Sequence, residues 1–217
     1  NKGFEFELGW KDNIRDFNYS ISANLATLKN EVTYLDPHVS GGRIEGSTTM
    51  ASNGSFSAFE EGYPVWYFRG YQVDHLDEKG NPVFRDNDKN GVIDASDKAM
   101  IGKPMPDFTY GVTLTANYKN FDLLVFGNGS VGNDVFMSYS YNHIFYPLKE
   151  IYDQRWTPDG STNRKYARPQ LTNADKYGLS DAYIFDGSYF RIKQIQLGYT
   201  FPKKLIKHAL LELSLIH

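Results

Sequence analysis

The sequence has no cysteine, which removes disulfides, thiolate catalysis and zinc–thiolate centres together. It has no apolar run approaching the roughly 20 residues that a membrane-spanning helix needs. Its opening residues, Asn1-Lys2-Gly3, do not make the basic and apolar start of a signal peptide. Neither absence speaks against a membrane, because barrel strands alternate lipid-facing and lumen-facing side chains and so escape a hydropathy window. Excess charge of one sign is lacking too. The net charge of -3 gives no electrostatic ground for expecting nucleic acid. His38, His75, His143, His208 and His217 are dispersed without an H-x-x-x-H pair, and no G-x-S-x-G serine occurs. No catalytic constellation forms, so no enzyme is expected.

What is abundant is aromatic: 16 Tyr and 15 Phe stand against 4 Met in 217 residues, a bias that favours strands over helix bundles. Period-two alternation starts almost at once. Phe4, Phe6, Leu8 and Trp10 alternate with Glu5, Glu7, Gly9 and Lys11. Residues 11–16 read as a short polar turn, and Phe17, Tyr19, Ile21, Ala23 and Leu25 then alternate with polar residues. A long strand over 108–118 carries Phe108, Tyr110, Val112, Leu114, Ala116 and Tyr118 on one face, Lys119-Asn120 turns it, and residues 121–126 return. Leu124 and Phe126 make the second face of that return strand partly apolar. A fifth strand over 188–201 changes parity between Ile192 and Ile195, which predicts a bulge near Lys193. Leu211, Leu213 and Leu215 begin a sixth.

The connections alternate short and long: 31–107 and 131–187 are long, the others short. Outer-membrane barrels sort their loops in this way, with short periplasmic turns and long loops outside. Six strands cannot close around a lumen, for which about eight are needed even when side chains fill it. The expected fold is therefore all-β: an antiparallel transmembrane β-barrel segment, about six strands of a larger barrel, with two long extracellular loops.

One motif carries chemistry. Asp86, Asp88 and Asn90 occupy positions 1, 3 and 5 of a calcium loop. Gly91 makes the sharp turn at 6, Val92 offers its carbonyl at 7, Asp94 stands at 9, and Asp97 stands where a bidentate Glu is usual. Carboxylates crowded into one turn repel one another, and a hard divalent cation relieves them. The expected ion is Ca²⁺; Asp97 is a methylene shorter than Glu, which keeps Mg²⁺ open. Its expected role is to pin a long loop. Trp66, Tyr67, Tyr139 and Tyr141 are candidates for stacking on sugar rings, or equally for packing the loops down. The G-x-G-x-x-G at residues 127–132 lacks the buried parallel strand and following helix of a dinucleotide fold, and reads as a flexible exit from a strand.

An ordered series of short segments runs through nearly the whole chain. It begins with Lys29-Asn30-Glu31-Val32, Glu61-Gly62-Tyr63-Pro64-Val65 and Gly70-Tyr71 with Val73-Asp74. After the acidic turn come Ile101-Gly102-Lys103-Pro104-Met105-Pro106-Asp107-Phe108 and Tyr118-Lys119-Asn120-Phe121-Asp122-Leu123. Gly132-Asn133-Asp134, Arg155-Trp156-Thr157-Pro158, Gly187-Ser188-Tyr189-Phe190-Arg191-Ile192-Lys193 and Leu197-Gly198-Tyr199-Thr200 complete it. In this order and spacing the series resembles the C-terminal part of SusC/RagA-type outer-membrane proteins, TonB-dependent transporters of Bacteroidetes. The resemblance implies a barrel of about 22 strands plugged by an N-terminal domain. It also implies import of oligosaccharides or peptides under a SusD-like surface lipoprotein, powered through the TonB complex. Residues 1–217 would then be barrel wall, in contact with outer-membrane lipid, without the plug and without the N-terminal part that meets TonB. The competing reading is a soluble calcium-binding β-sandwich, a carbohydrate-binding module. In that case the apolar strand faces would pack against a second sheet.

Overall fold

A computed structural model describes residues 1–46, 54–137, 149–159, 165–168 and 174–202. In chain order the strands are β1 (Glu5–Ile14), β2 (Phe17–Thr27), β3 (Arg43–Glu45), β4 (Ser57–Glu60), β5 (Tyr67–Gly70), β6 (Val73–Leu76) and β7 (Pro82–Phe84). After these come β8 (Ala99–Gly102), β9 (Phe108–Tyr118), β10 (Phe121–Val131), β11 (Asp134–Phe136), β12 (Ile184–Asp186) and β13 (Tyr189–Tyr199). Two one-turn helices, α1 (Lys149–Asp153) and α2 (Ala174–Gly178), are the only α-helices among the described residues. Among the described residues, every ladder between these strands is antiparallel. The chain divides into two compact units, the long strands and the segments that connect them.

The long strands form one sheet in the order β1-β2-β9-β10-β13. Strands of ten or eleven residues match the length that crosses a bilayer when tilted. Registers place Trp10, Ile21, Leu114, Val125 and Ile195 in one row across all five strands. The same face carries Leu8, Ala23 and Val112, whereas Ser20, Ser22, Thr113, Thr115, Gln194 and Gln196 lie opposite. The bulge expected near Lys193 is there. Phe126 pairs with Gln194 and Gly127 with Ile192, so Lys193 is skipped and both halves of β13 keep their apolar residues on one side.

Two expectations are corrected. The turn predicted over 11–16 is only Arg15-Asp16, because Lys11, Asp12 and Asn13 pair with Ser20, Tyr19 and Asn18. Ladder bonds join backbone groups and do not require apolar side chains. Nor does the return strand end at Phe126. Gly127, Asn128, Gly129 and Ser130 pair with both β9 and β13, so the glycine-rich stretch is strand interior rather than a flexible exit. Its glycines make room for rings. A Cβ on Gly127 would meet Phe190, one on Gly129 would meet Tyr110, and those two rings stack at 6.0 Å. The predicted sixth strand lies outside the described residues.

The connecting unit has its own sheet, β3-β4-β5-β8, and the hairpins β6-β7 and β11-β12. Val32, Ala58, Tyr67, Phe68, Tyr71, Leu76, Tyr166, Leu179 and Ala182 are buried in it. A seam joins its two sequence-distant parts: the Tyr71 amide donates to the Leu179 carbonyl at 2.9 Å, and the Asp181 amide donates to the Tyr71 carbonyl at 3.0 Å. Gly70 permits this approach, since a Cβ there would lie 2.1 Å from the Leu179 carbonyl oxygen.

Candidate functional site

The acidic turn leaves β7 and ends in a 3₁₀ turn over Ala95–Asp97 that leads into β8. Lys89 and Gly91 both adopt left-handed backbone, which folds the loop back on itself. Carboxylate oxygens of Asp86, Asp88 and Asp97 converge to within 4.8 Å of one another. Backbone donors hold them there. The Gly91 amide donates to Asp86 Oδ2 at 2.8 Å and the Asn90 amide to Asp88 Oδ1 at 3.1 Å. The Asn90 side chain also donates to Asp88 Oδ2. The Gly91 amide is the leading reason that the Asp86 carboxyl is held below its ordinary range.

Asp97 is fully buried. Its two oxygens accept from the Asn87 amide at 2.7 Å and the Asp94 amide at 2.8 Å. Asp94 stands apart from the converging three. Its carboxylate caps the 3₁₀ turn, accepting from the Ser96 amide at 2.8 Å and the Ser96 hydroxyl at 2.6 Å, and these bonds lower its pKa. Asn90 Oδ1 accepts from the Val92 amide, and the Val92 side chain faces solvent. Of the six predicted ligands, three therefore converge, Asn90 braces two of them, and Asp94 and Val92 serve the turn itself. The donor set is hard oxygen throughout. Such a set fits a hard divalent cation, Ca²⁺ or Mg²⁺.

Sequence reading missed several supports of this turn. The single Ser96 hydroxyl proton is shared between Asp94 and Asp88, whose Oδ2 lies 2.7 Å away. Arg69 reaches the Ala95 carbonyl at 3.0 Å, and Lys176 of α2 hydrogen-bonds to the Ile93 carbonyl. The capping pair Asp94-x-x-Asp97 was available as a signal; the contacts of Arg69 and Lys176 left none.

Of the predicted stacking residues, Tyr139 and Tyr141 lie outside the described residues. Tyr67 is 2% exposed, stacks on Tyr63 at 4.5 Å and donates its hydroxyl to Glu60 at 2.5 Å. Burial, and then Glu60, push its phenol pKa well up. Both of its functional surfaces are taken up by the protein. Trp66 is 42% exposed, meets Phe59 at 5.6 Å and holds a left-handed backbone in the turn closed by the Tyr67 amide and the Pro64 carbonyl.

The other candidate surface is the apolar face of the long sheet. Leu8 is 75% exposed, Ile195 67% and Leu197 73%. Aromatic residues collect towards its two ends. Phe17, Tyr118, Phe121 and Tyr199 lie beside the short turns, and Phe6, Phe108, Tyr110 and Phe190 lie towards the opposite end. Tyr110 and Tyr118 stand eight residues apart, roughly 26 Å along a strand. An aliphatic band flanked by aromatic rows is how a barrel meets a bilayer and its two interfaces.

No protein-family model matches the chain. It is 28% identical over 95% of its length to TonB-dependent receptor P3 of Formosa agariphila, of which it covers 22%. To TonB-dependent receptor SusC of Bacteroides thetaiotaomicron it is 29% identical over 93% of its length, covering 20% of that protein. Among solved structures it superposes on the RagAB peptide importer in the 'open-open' state with a TM-score of 0.67, and on the RagAB peptide transporter with 0.69. Both are 21% identical, with 94% of this chain covered and 22% and 23% of theirs. The chain thus spans about a fifth of the length of the curated relatives it matches. Over nearly all of its residues it is a homologue of the SusC-type TonB-dependent receptors, and it shares the fold of a part of the RagAB transporter.

Proposed function

We propose that this chain is a stretch of barrel wall from an outer-membrane TonB-dependent importer of glycans or peptides that works with a SusD-like surface lipoprotein. In this reading the connections 31–107 and 131–187 face the outside and contact the lipoprotein or the substrate. Energy from the TonB complex enters through a part of the protein beyond this sequence. Asp86, Asp88 and Asp97, braced by Asn90, hold a Ca²⁺ that stiffens the first connection. The single observation that carries the proposal is the exposed, aromatic-flanked apolar face, in phase across five strands. A soluble sandwich would bury that face against a second sheet, and nothing among the described residues covers it in this way.

Spin labels at Ile195 and Gln196 of the full-length protein in vesicles test the reading. Residue 195 should be relaxed by oxygen dissolved in the bilayer, and residue 196 by a water-soluble nickel chelate. Equal access of both positions to the chelate would end the barrel account.

A further inference from the structure

Each of the two tight hairpin turns places a long basic residue where such turns favour glycine, asparagine or aspartate. Arg15 has φ 55° and Lys119 φ 53°, both left-handed. Both turns close the same end of the sheet, since Phe17 pairs with Tyr118. The turns lie two strands apart, about 10 Å. Each basic residue follows directly on the aromatic row of the apolar face, next to Ile14 and Phe17 in one turn and to Tyr118 and Phe121 in the other. Lys119 shows which way it leans: its Nζ lies 5.2 Å from the centre of the Tyr118 ring, and Tyr118 is 49% exposed on that face. Among the described residues neither Arg15 nor Lys119 forms an ion pair, although Asp12 and Asp16 are close to Arg15 in sequence. Two strained turns therefore present uncompensated cations at the margin of an exposed apolar surface.

We propose that Arg15 and Lys119 bind the phosphate groups of anionic glycerophospholipids in the leaflet that meets the short turns. Their aliphatic stems follow the aromatic row, and their charged heads reach the headgroup layer. The guanidinium suits two phosphate oxygens at once and the ammonium supplies a point charge. The inference depends on the barrel reading above, and the experiment separates the two.

The full-length protein is released from micelles doped with phosphatidylglycerol or phosphatidylcholine, and its bound lipids are counted by native mass spectrometry. The variants are Arg15→Asn, Lys119→Asn and their combination; asparagine tolerates the left-handed backbone, so the turns persist. The wild type should retain phosphatidylglycerol in preference to phosphatidylcholine, with the preference falling about fivefold for each basic residue removed. Arg15→Lys with Lys119→Arg should keep it. An unchanged preference in the double asparagine variant overturns the headgroup site while leaving the barrel intact. A protein that is monodisperse without detergent and carries neither lipid overturns the barrel reading first, and this inference with it.

Discussion

Asp97 accepts two backbone amides with its two oxygens while lying among the other carboxylates of the acidic turn. Asp86 and Asp88, nearer the surface, are therefore the better test of cation binding. Asp86→Ala with Asp88→Ala should weaken calcium binding about tenfold or more, measured by titration calorimetry. Calcium should then no longer slow proteolysis of the first connection. Equal calcium affinity in wild type and variant would leave the turn as a solvated acidic loop. Asp181 is a different case. Its carboxylate accepts from the Val73 amide at 3.0 Å, and burial is the main cause that raises its pKa, against the opposing effects of that bond and of Arg85. Tyr177 is its other ionisable neighbour. Because the folded state binds this proton more tightly than the unfolded chain, the group costs stability above its raised pKa. That cost is relieved as the pH falls through it. Acidification from neutrality towards the ordinary aspartate range should therefore raise the opening free energy read by exchange at the neighbouring Tyr71 amide, which donates to the Leu179 carbonyl. Asp181→Asn, which keeps an acceptor without the charge, should remove that pH dependence.

The bulge in β13 decides which side of the sheet that strand presents to its surroundings. Deleting Lys193 would straighten the strand and leave Phe190 and Ile192 on the same face as Ile195 and Leu197, whereas deleting Lys193 and Gln194 together would put the two pairs on opposite faces. The expected result is that the single deletion and Lys193→Ala keep the heat-resistant folded band on gels of the full-length protein, and the double deletion loses it. The parity change behind this prediction is visible in the sequence, as are all five long strands, because each carries a run of apolar alternation, interrupted in β13 only at the bulge. Polar residues 11–13 and glycine-rich residues 127–131 gave no such signal. Their strand state comes from backbone pairing with β2, β9 and β13, which a single-strand pattern does not encode. The acidic turn was legible for a related reason. Asp86, Asp88 and Asn90 act through local spacing, whereas Lys176 reaches the Ile93 carbonyl from 83 residues away. The burial of Tyr67 was equally hidden, since the run Tyr63-Pro64-Val65-Trp66-Tyr67-Phe68 gives no order of depth.

At the scale of the whole molecule, a sheet with one exposed apolar face and a connecting unit with its own small core have different requirements. The connecting unit buries Tyr67, Phe68, Tyr71 and Tyr166. The sheet keeps Leu8, Ile195 and Leu197 open to their surroundings, a state that costs free energy in water and none in hydrocarbon. Strand β1 pairs with β2 on one side only, so among the described residues nothing occupies its other edge over the ten residues Glu5–Ile14. Synthesised without the rest of a wall around it, this polypeptide would offer other copies a ready template for adding strands and a greasy surface to stack upon. Inclusion bodies, recoverable only by refolding alongside the neighbouring strands, are the expected fate of the isolated piece.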